Sequence, residues 1–73
     1  MALHVHVLDF ENDQALQRAF ASLSEHSDVE SCLVESGGLR IRFLAAARAG
    51  KAIVERLYDE GGLKWCSRHL LNE

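Results

Sequence analysis

The sequence predicts an α+β sandwich whose elements run β-α-β-β-α-β, and three observations carry that expectation. Gly37-Gly38 sits between two β-prone runs, 29–36 and 39–44. A glycine pair there predicts a two-residue hairpin turn of type I′, which needs positive φ at both central residues. Two further stretches, ending near Glu25 and spanning 45–60, carry apolar residues at helical spacing. Both chain ends, 3–8 and 63–70, alternate apolar and polar residues at the period of a strand.

Along the chain, Leu3-His4-Val5-His6-Val7-Leu8 predicts a first strand with Leu3, Val5 and Val7 buried. Asp9 or Asn12 is placed to cap the next helix, and Glu11 and Asp13 suit its positive N-terminal end. Leu16, Ala19, Phe20 and Leu23 form that helix's apolar stripe. The hairpin follows, and its turn length fixes the register: Ser36 opposite Leu39, Glu35 opposite Arg40, Val34 opposite Ile41, Leu33 opposite Arg42, Cys32 opposite Phe43. Cys32, Val34, Ile41 and Phe43 then share one face, and Leu33, Glu35, Arg40 and Arg42 the other.

The second helix has Ala46, Ala49, Gly50, Ile53, Val54 and Leu57 on its apolar side. Lys51 with Glu55 and Arg56 with Glu60 are i,i+4 pairs on its wet side. Gly61 stops it. Residues 63–70 then predict a fourth strand, with Leu63 and Trp65 inward and Lys64, Cys66 and Arg68 outward. A helical C-terminus, giving β-α-β-β-α, is the alternative.

This order is that of the split β-α-β, ferredoxin-like plan: a four-stranded antiparallel sheet, first and third strands central, both helices on one face. Its 73 residues make one domain, 1–73, near the lower size limit for a single core. Cys32 and Cys66 lie far apart, no secretory signal is read at the N-terminus, and no apolar run is long enough to span a membrane. A cytoplasmic protein with reduced thiols is the expectation.

The face without helices is where function is expected. On the assigned register it carries His4, His6, Leu8, Val29, Ser31, Leu33, Glu35, Arg40, Arg42, Leu44, Lys64, Cys66 and Arg68. Four of the eight Lys and Arg residues fall there, but only one of the eleven acids, in a chain of net charge −3. The plain reading is a solvated sheet face whose Arg and Lys stems cover apolar neighbours. Its leucines and valines point instead to contact with a partner. The binding residues expected are His4, His6, Arg40, Arg42, Leu33, Lys64 and Arg68, engaging a second copy as a homodimer or a larger protein that the chain regulates.

Two other readings use the same face. Nucleic acid is one, but the RNA-binding module of this plan stacks bases on Phe or Tyr, absent here, and the pI near 5.7 is low for that role. Metal held by His4, His6 and Cys66 is the other, with ligand types that suit zinc or copper and no evident fourth ligand. No metal or other cofactor is therefore expected. The heavy-metal carriers, small hydrolases and ligand-sensing regulatory domains of this plan carry CxxC or glycine-rich loops after the first strand. Asp9-Phe10-Glu11-Asn12-Asp13 departs from all three. No catalytic motif occurs, and no enzymatic activity is expected.

Overall fold

The computed structural model describes residues 2–35 and 37–70. Six elements follow in the expected order: β1 (Leu3–Phe10), α1 (Asp13–Ser24), β2 (Ser31–Val34), β3 (Arg40–Ala46), α2 (Ala47–Glu60) and β4 (Leu63–Leu70). The sheet order is β2-β3-β1-β4 and every pairing is antiparallel, so β1 and β3 are central, as the ferredoxin-like plan requires. The last segment is a strand, which removes the helical alternative.

Local chemistry sets the boundaries. Asn12 caps α1, its side-chain oxygen accepting from the Ala15 N–H at 2.8 Å, so Asp9 is free for another role. The hairpin has the expected register: Cys32 faces Phe43, Leu33 faces Arg42 and Val34 faces Ile41. The Glu35 N–H donates to the Arg40 carbonyl at 2.9 Å. The Ser36–Leu39 pair falls outside the described residues. At the turn only Gly37 takes positive φ, 78°, which is the sign pattern of type II′ and not of the expected type I′.

One expectation is reversed. Strand β1 continues to Phe10, and its even positions, not its odd ones, face the helices. Leu8 (0 % exposed) and Phe10 (4 %) join Ile41, Phe43 and Ala45 in the core, with Ala15, Leu16, Ala19 and Leu23 of α1 and Ile53 and Leu57 of α2. Leu3, Val5 and Val7 therefore lie on the face opposite the helices. The reason is the pair Asp9-Phe10: one residue apart, they take opposite faces, and the large ring goes to the core while the carboxylate stays wet. Val29 also packs against the core, not on the open face.

His6 turns inward with the even residues and is 2 % exposed. Its ring stacks on Phe43, with centroids 4.7 Å apart. Its Nε2–H donates to the Ala45 carbonyl at 3.2 Å. Helix α2 passes over it at Gly50, where a methyl group would overlap the imidazole. Burial pushes the His6 pKa below the ordinary 6.5, assisted by His4 and Arg68 and opposed by the Ala45 hydrogen bond. His4 lies 6.3 Å away, centroid to centroid, and its buried Nδ1 has no hydrogen-bond partner among the described residues.

Two predictions follow from this packing. The unfolded chain protonates His6 before the folded chain does. Stability is therefore full well above pH 6.5 and falls as pH drops through it, until the depressed folded value is passed. Urea unfolding from pH 8 to pH 5 reads this as a falling midpoint, and His6→Leu flattens the His6 share of the slope. Gly50→Ala destabilises by about 1–3 kcal/mol through overpacking, against a helix-propensity gain of about 1 kcal/mol. In a His6→Ala background the overlap is gone, so Gly50→Ala becomes stabilising. Equal effects in the two backgrounds refute the contact.

Candidate functional site

The candidate site is the sheet face without helices, and the register arranges it in rows across the strands. One row runs Glu35, Arg40, Asp9, Trp65. The next runs Leu33, Arg42, Val7, Ser67, and the third Ser31, Leu44, Val5, His69. Of these twelve residues seven are polar and four aliphatic, with one exposed indole, Trp65, at the β4 side.

The first row is one electrostatic unit. Arg40 donates through Nε to Asp9 Oδ1 at 2.6 Å and through Nη2 to Asp9 Oδ2 at 3.0 Å, the bidentate geometry that a guanidinium favours. Glu35 lies 3.9 Å from Arg40 Nη1, and its other oxygen accepts from Arg42 Nε. The Arg40 guanidinium also sits 5.9 Å from the Trp65 ring centroid, within cation–π range. The hydrogen bond from Arg40 holds the Asp9 carboxyl below its usual value, and Asp9 in turn raises Arg40.

Two arginines thus meet two carboxylates, and the face expected to be basic is close to neutral. The hairpin register pairs Glu35 with Arg40, but the sequence offers Asp9, with Asn12, only as a candidate helix cap, so the second acid is not found from it. Its signal was the parity of β1: carried through to Phe10, the alternation places Asp9 beside Arg40.

Beside this network lies the aliphatic part. Val5, Leu33 and Leu44 line a shallow depression of about 220 Å³ with Ser31 and Arg42. Leu33 is 53 % exposed and Trp65 50 %, while Val7 is nearly covered.

The expected binding residues divide between the two faces. Arg40, Arg42 and Leu33 are on the open face, as read. His4 and His6 are on the helix side. Arg68 is opposite His6 and Cys66 opposite Leu8, so they too share the helix side of the sheet, at its edge. A β-bulge causes this. Phe10 pairs with Leu63 and Asp9 with Trp65, leaving Lys64 as an extra residue that shifts the phase of β4. Leu63 accordingly packs on the core, while Trp65, expected inward as a core anchor, comes out onto the open face. Lys64 joins Asp9, Glu35 and Arg40 around a cleft of about 340 Å³ at the hairpin end.

The imagined metal set fares no better as a unit. His6 Nε2 is engaged by Ala45, and among the described residues no group of three His, Cys, Asp or Glu side chains could hold a metal ion. Burial pushes the Cys32 thiol up, as fits a core-facing cysteine, and Cys66 is exposed. No described helix is long and apolar enough to cross a membrane.

No protein-family model matches the chain, and no curated protein matches it. Among solved structures the chain is similar to a transcriptional regulator from Neisseria meningitidis, crystallised as a complex with L-Met. The TM-score is 0.72 at 16 % sequence identity, over 99 % of this chain and 50 % of that one, so the chain spans about half the length of the regulator it resembles. At that identity the likeness establishes a shared fold, the ferredoxin-like sandwich already read from the strand order.

Proposed function

We propose that this chain is a non-enzymatic regulatory module that pairs with a second copy of itself through the open sheet face. The observation that carries the reading is the internal pairing of Arg40 and Arg42 with Asp9 and Glu35 beside an exposed aliphatic patch. Two unpaired arginines on each copy would repel across a two-fold axis. Neutralised within their own chain, they leave Val5, Leu33 and Leu44 to supply apolar contact, and the charged row to set orientation. A small domain near its lower size limit gains stability by covering such a patch. The regulator from Neisseria meningitidis supports a regulatory role, since this chain shares its fold. A cytoplasmic location belongs to the same reading.

Nucleic acid is the weaker reading, because the arginines that would meet phosphates are already engaged by carboxylates.

The test is solution mass. Light scattering at tens of micromolar protein gives twice the chain mass. Leu33→Asp, at a half-exposed position, halves it and leaves the circular dichroism spectrum unchanged. Asp9→Asn with Glu35→Gln also weakens pairing, by restoring the repulsion between arginines, and added salt partly rescues it. A wild-type chain that is monomeric at these concentrations ends the proposal, as does a Leu33→Asp variant that keeps the dimer mass.

A further inference from the structure

We propose that the free edge of β4 is a docking site for an extended acidic peptide, which adds to the sheet as a fifth strand. Three features of that edge converge.

The first is backbone. Among the described residues β4 pairs with β1 on one side only, and it ends the sheet order. From Trp65 to Leu70 its pairing is regular, with six consecutive partners from Asp9 to His4 and the single bulge confined to its start. In an antiparallel edge strand alternate residues turn both N–H and C=O outward, so about three residues here offer a ladder to an incoming strand. The opposite edge, β2, is four residues long and offers less.

The second is charge. β4 contains Lys64, Arg68 and no acid, and Lys51 of α2 lies alongside. Among the described residues none of these three cations forms an ion pair; Lys51 does not meet Glu55, whereas Arg56 reaches Glu60 at 4.0 Å. Arg68 and Lys51 contrast with Arg40 and Arg42, which are internally neutralised, and with Lys64, which lies beside Asp9 and Glu35 at the hairpin end.

The third is shape. Beside the edge, between β4 and α2, lies a cleft of about 320 Å³ lined by His6, Lys51, Val54, Cys66, Ser67 and Arg68. A fifth strand laid along β4 would direct every second side chain into it. Aliphatic side chains would meet Val54, and carboxylates would meet Lys51 and Arg68.

The same cations decide the occupant. Lysine and arginine on an edge strand discourage a second copy from pairing there, since β4 against β4 would bring Arg68 and Lys64 toward their mates. They attract an acidic strand. Backbone hydrogen bonds would then supply affinity, and the cleft its preference.

The experiment is a titration of ¹⁵N-labelled protein with an acetylated, amidated heptapeptide alternating glutamate and valine, beside the same peptide with lysine for glutamate. The acidic peptide shifts the backbone amides of residues 65–70 together with Lys51 and Val54, and slows hydrogen exchange at alternate β4 amides. The lysine peptide does not. Arg68→Glu weakens the acidic peptide by about tenfold, and Lys51→Glu, on a different element, acts in the same direction. Absence of shifts along β4, equal binding of both peptides, or shifts centred on Val5, Leu33 and Leu44 overturns the proposal. So does a β4 response to protein concentration alone, which would make the occupant a second copy. Because these outcomes are read at the edge, they stand apart from whether the open face pairs.

Discussion

Everything on the two faces of this sheet depends on the parity of β1. Asp9 and Phe10 are adjacent and must take opposite sides of the strand. The core closes around Phe10 and Leu8, and that choice carries His4 and His6 inward and Val5 and Val7 outward. A one-residue slip would bury the Asp9 carboxylate and bring the Phe10 ring to water, each a loss of some kcal/mol. The histidines on the buried side are tolerated because they are accommodated one at a time. His6 stacks on Phe43, bonds Ala45 and slides beneath Gly50, where the absence of a side chain lets α2 pass.

The same parity builds the open face. With Asp9 outward, Arg40 finds a carboxylate directly across the β1–β3 ladder, and Trp65 lies one strand further on. Glu35, just past the end of β2, and Arg40, Asp9 and Trp65 of β3, β1 and β4 thereby form one row across the sheet. Exposed ion pairs contribute little to stability individually. Their consequence here is chiefly one of surface character: two arginines that would have made a cationic patch become part of a neutral one. The electrostatic contrast moves elsewhere, to the β4 edge, where Arg68 and Lys51 form no ion pair among the described residues.

Much of this was legible in the sequence, and the part that was not has definite causes. The hairpin register, the four strands, the α1 stripe, the α2 stripe from Ala49 to Leu57 and the places of Arg40, Arg42 and Leu33 all came from periodicity and from Gly37-Gly38; Ala45 and Ala46, expected to open the second helix, instead end β3, paired with His4 and Leu3. Those signals are local, and nothing in the tertiary structure opposes them. The phase of β1 was misjudged because valine alternating with histidine looks like buried alternating with exposed. Hydrophobicity over 3–8 favours that answer, and only Asp9 and Phe10, beyond the expected strand end, reverse it. The phase of β4 was misjudged for another reason. A bulge inserts one residue, Lys64, and strict alternation cannot be carried through it. Nothing in Leu63-Lys64-Trp65 announces a bulge; it becomes visible only when Phe10 and Asp9 are paired with their partners.

These two corrections bear on function in opposite ways. Reversing β1 removes the histidines from the working surface and replaces them with Val5 and Val7, so the open face becomes more apolar. Shifting β4 removes Cys66 and Arg68 from that face as well and brings Trp65 onto it. What remains is a surface of paired charges beside an aliphatic patch and one exposed indole, which favours contact with another protein surface over contact with phosphate. Arg68, the cation removed from it, forms no ion pair among the described residues. With Lys51 of α2, Arg68 flanks the sheet's long unpaired edge on the helix side. A chain of net charge −3 therefore presents two unpaired cations, Arg68 and Lys51, beside unpaired backbone, where they can select among strands by their charge. Net charge alone, spread over the helices and loops that carry most of the acids, gives no hint of that local sign.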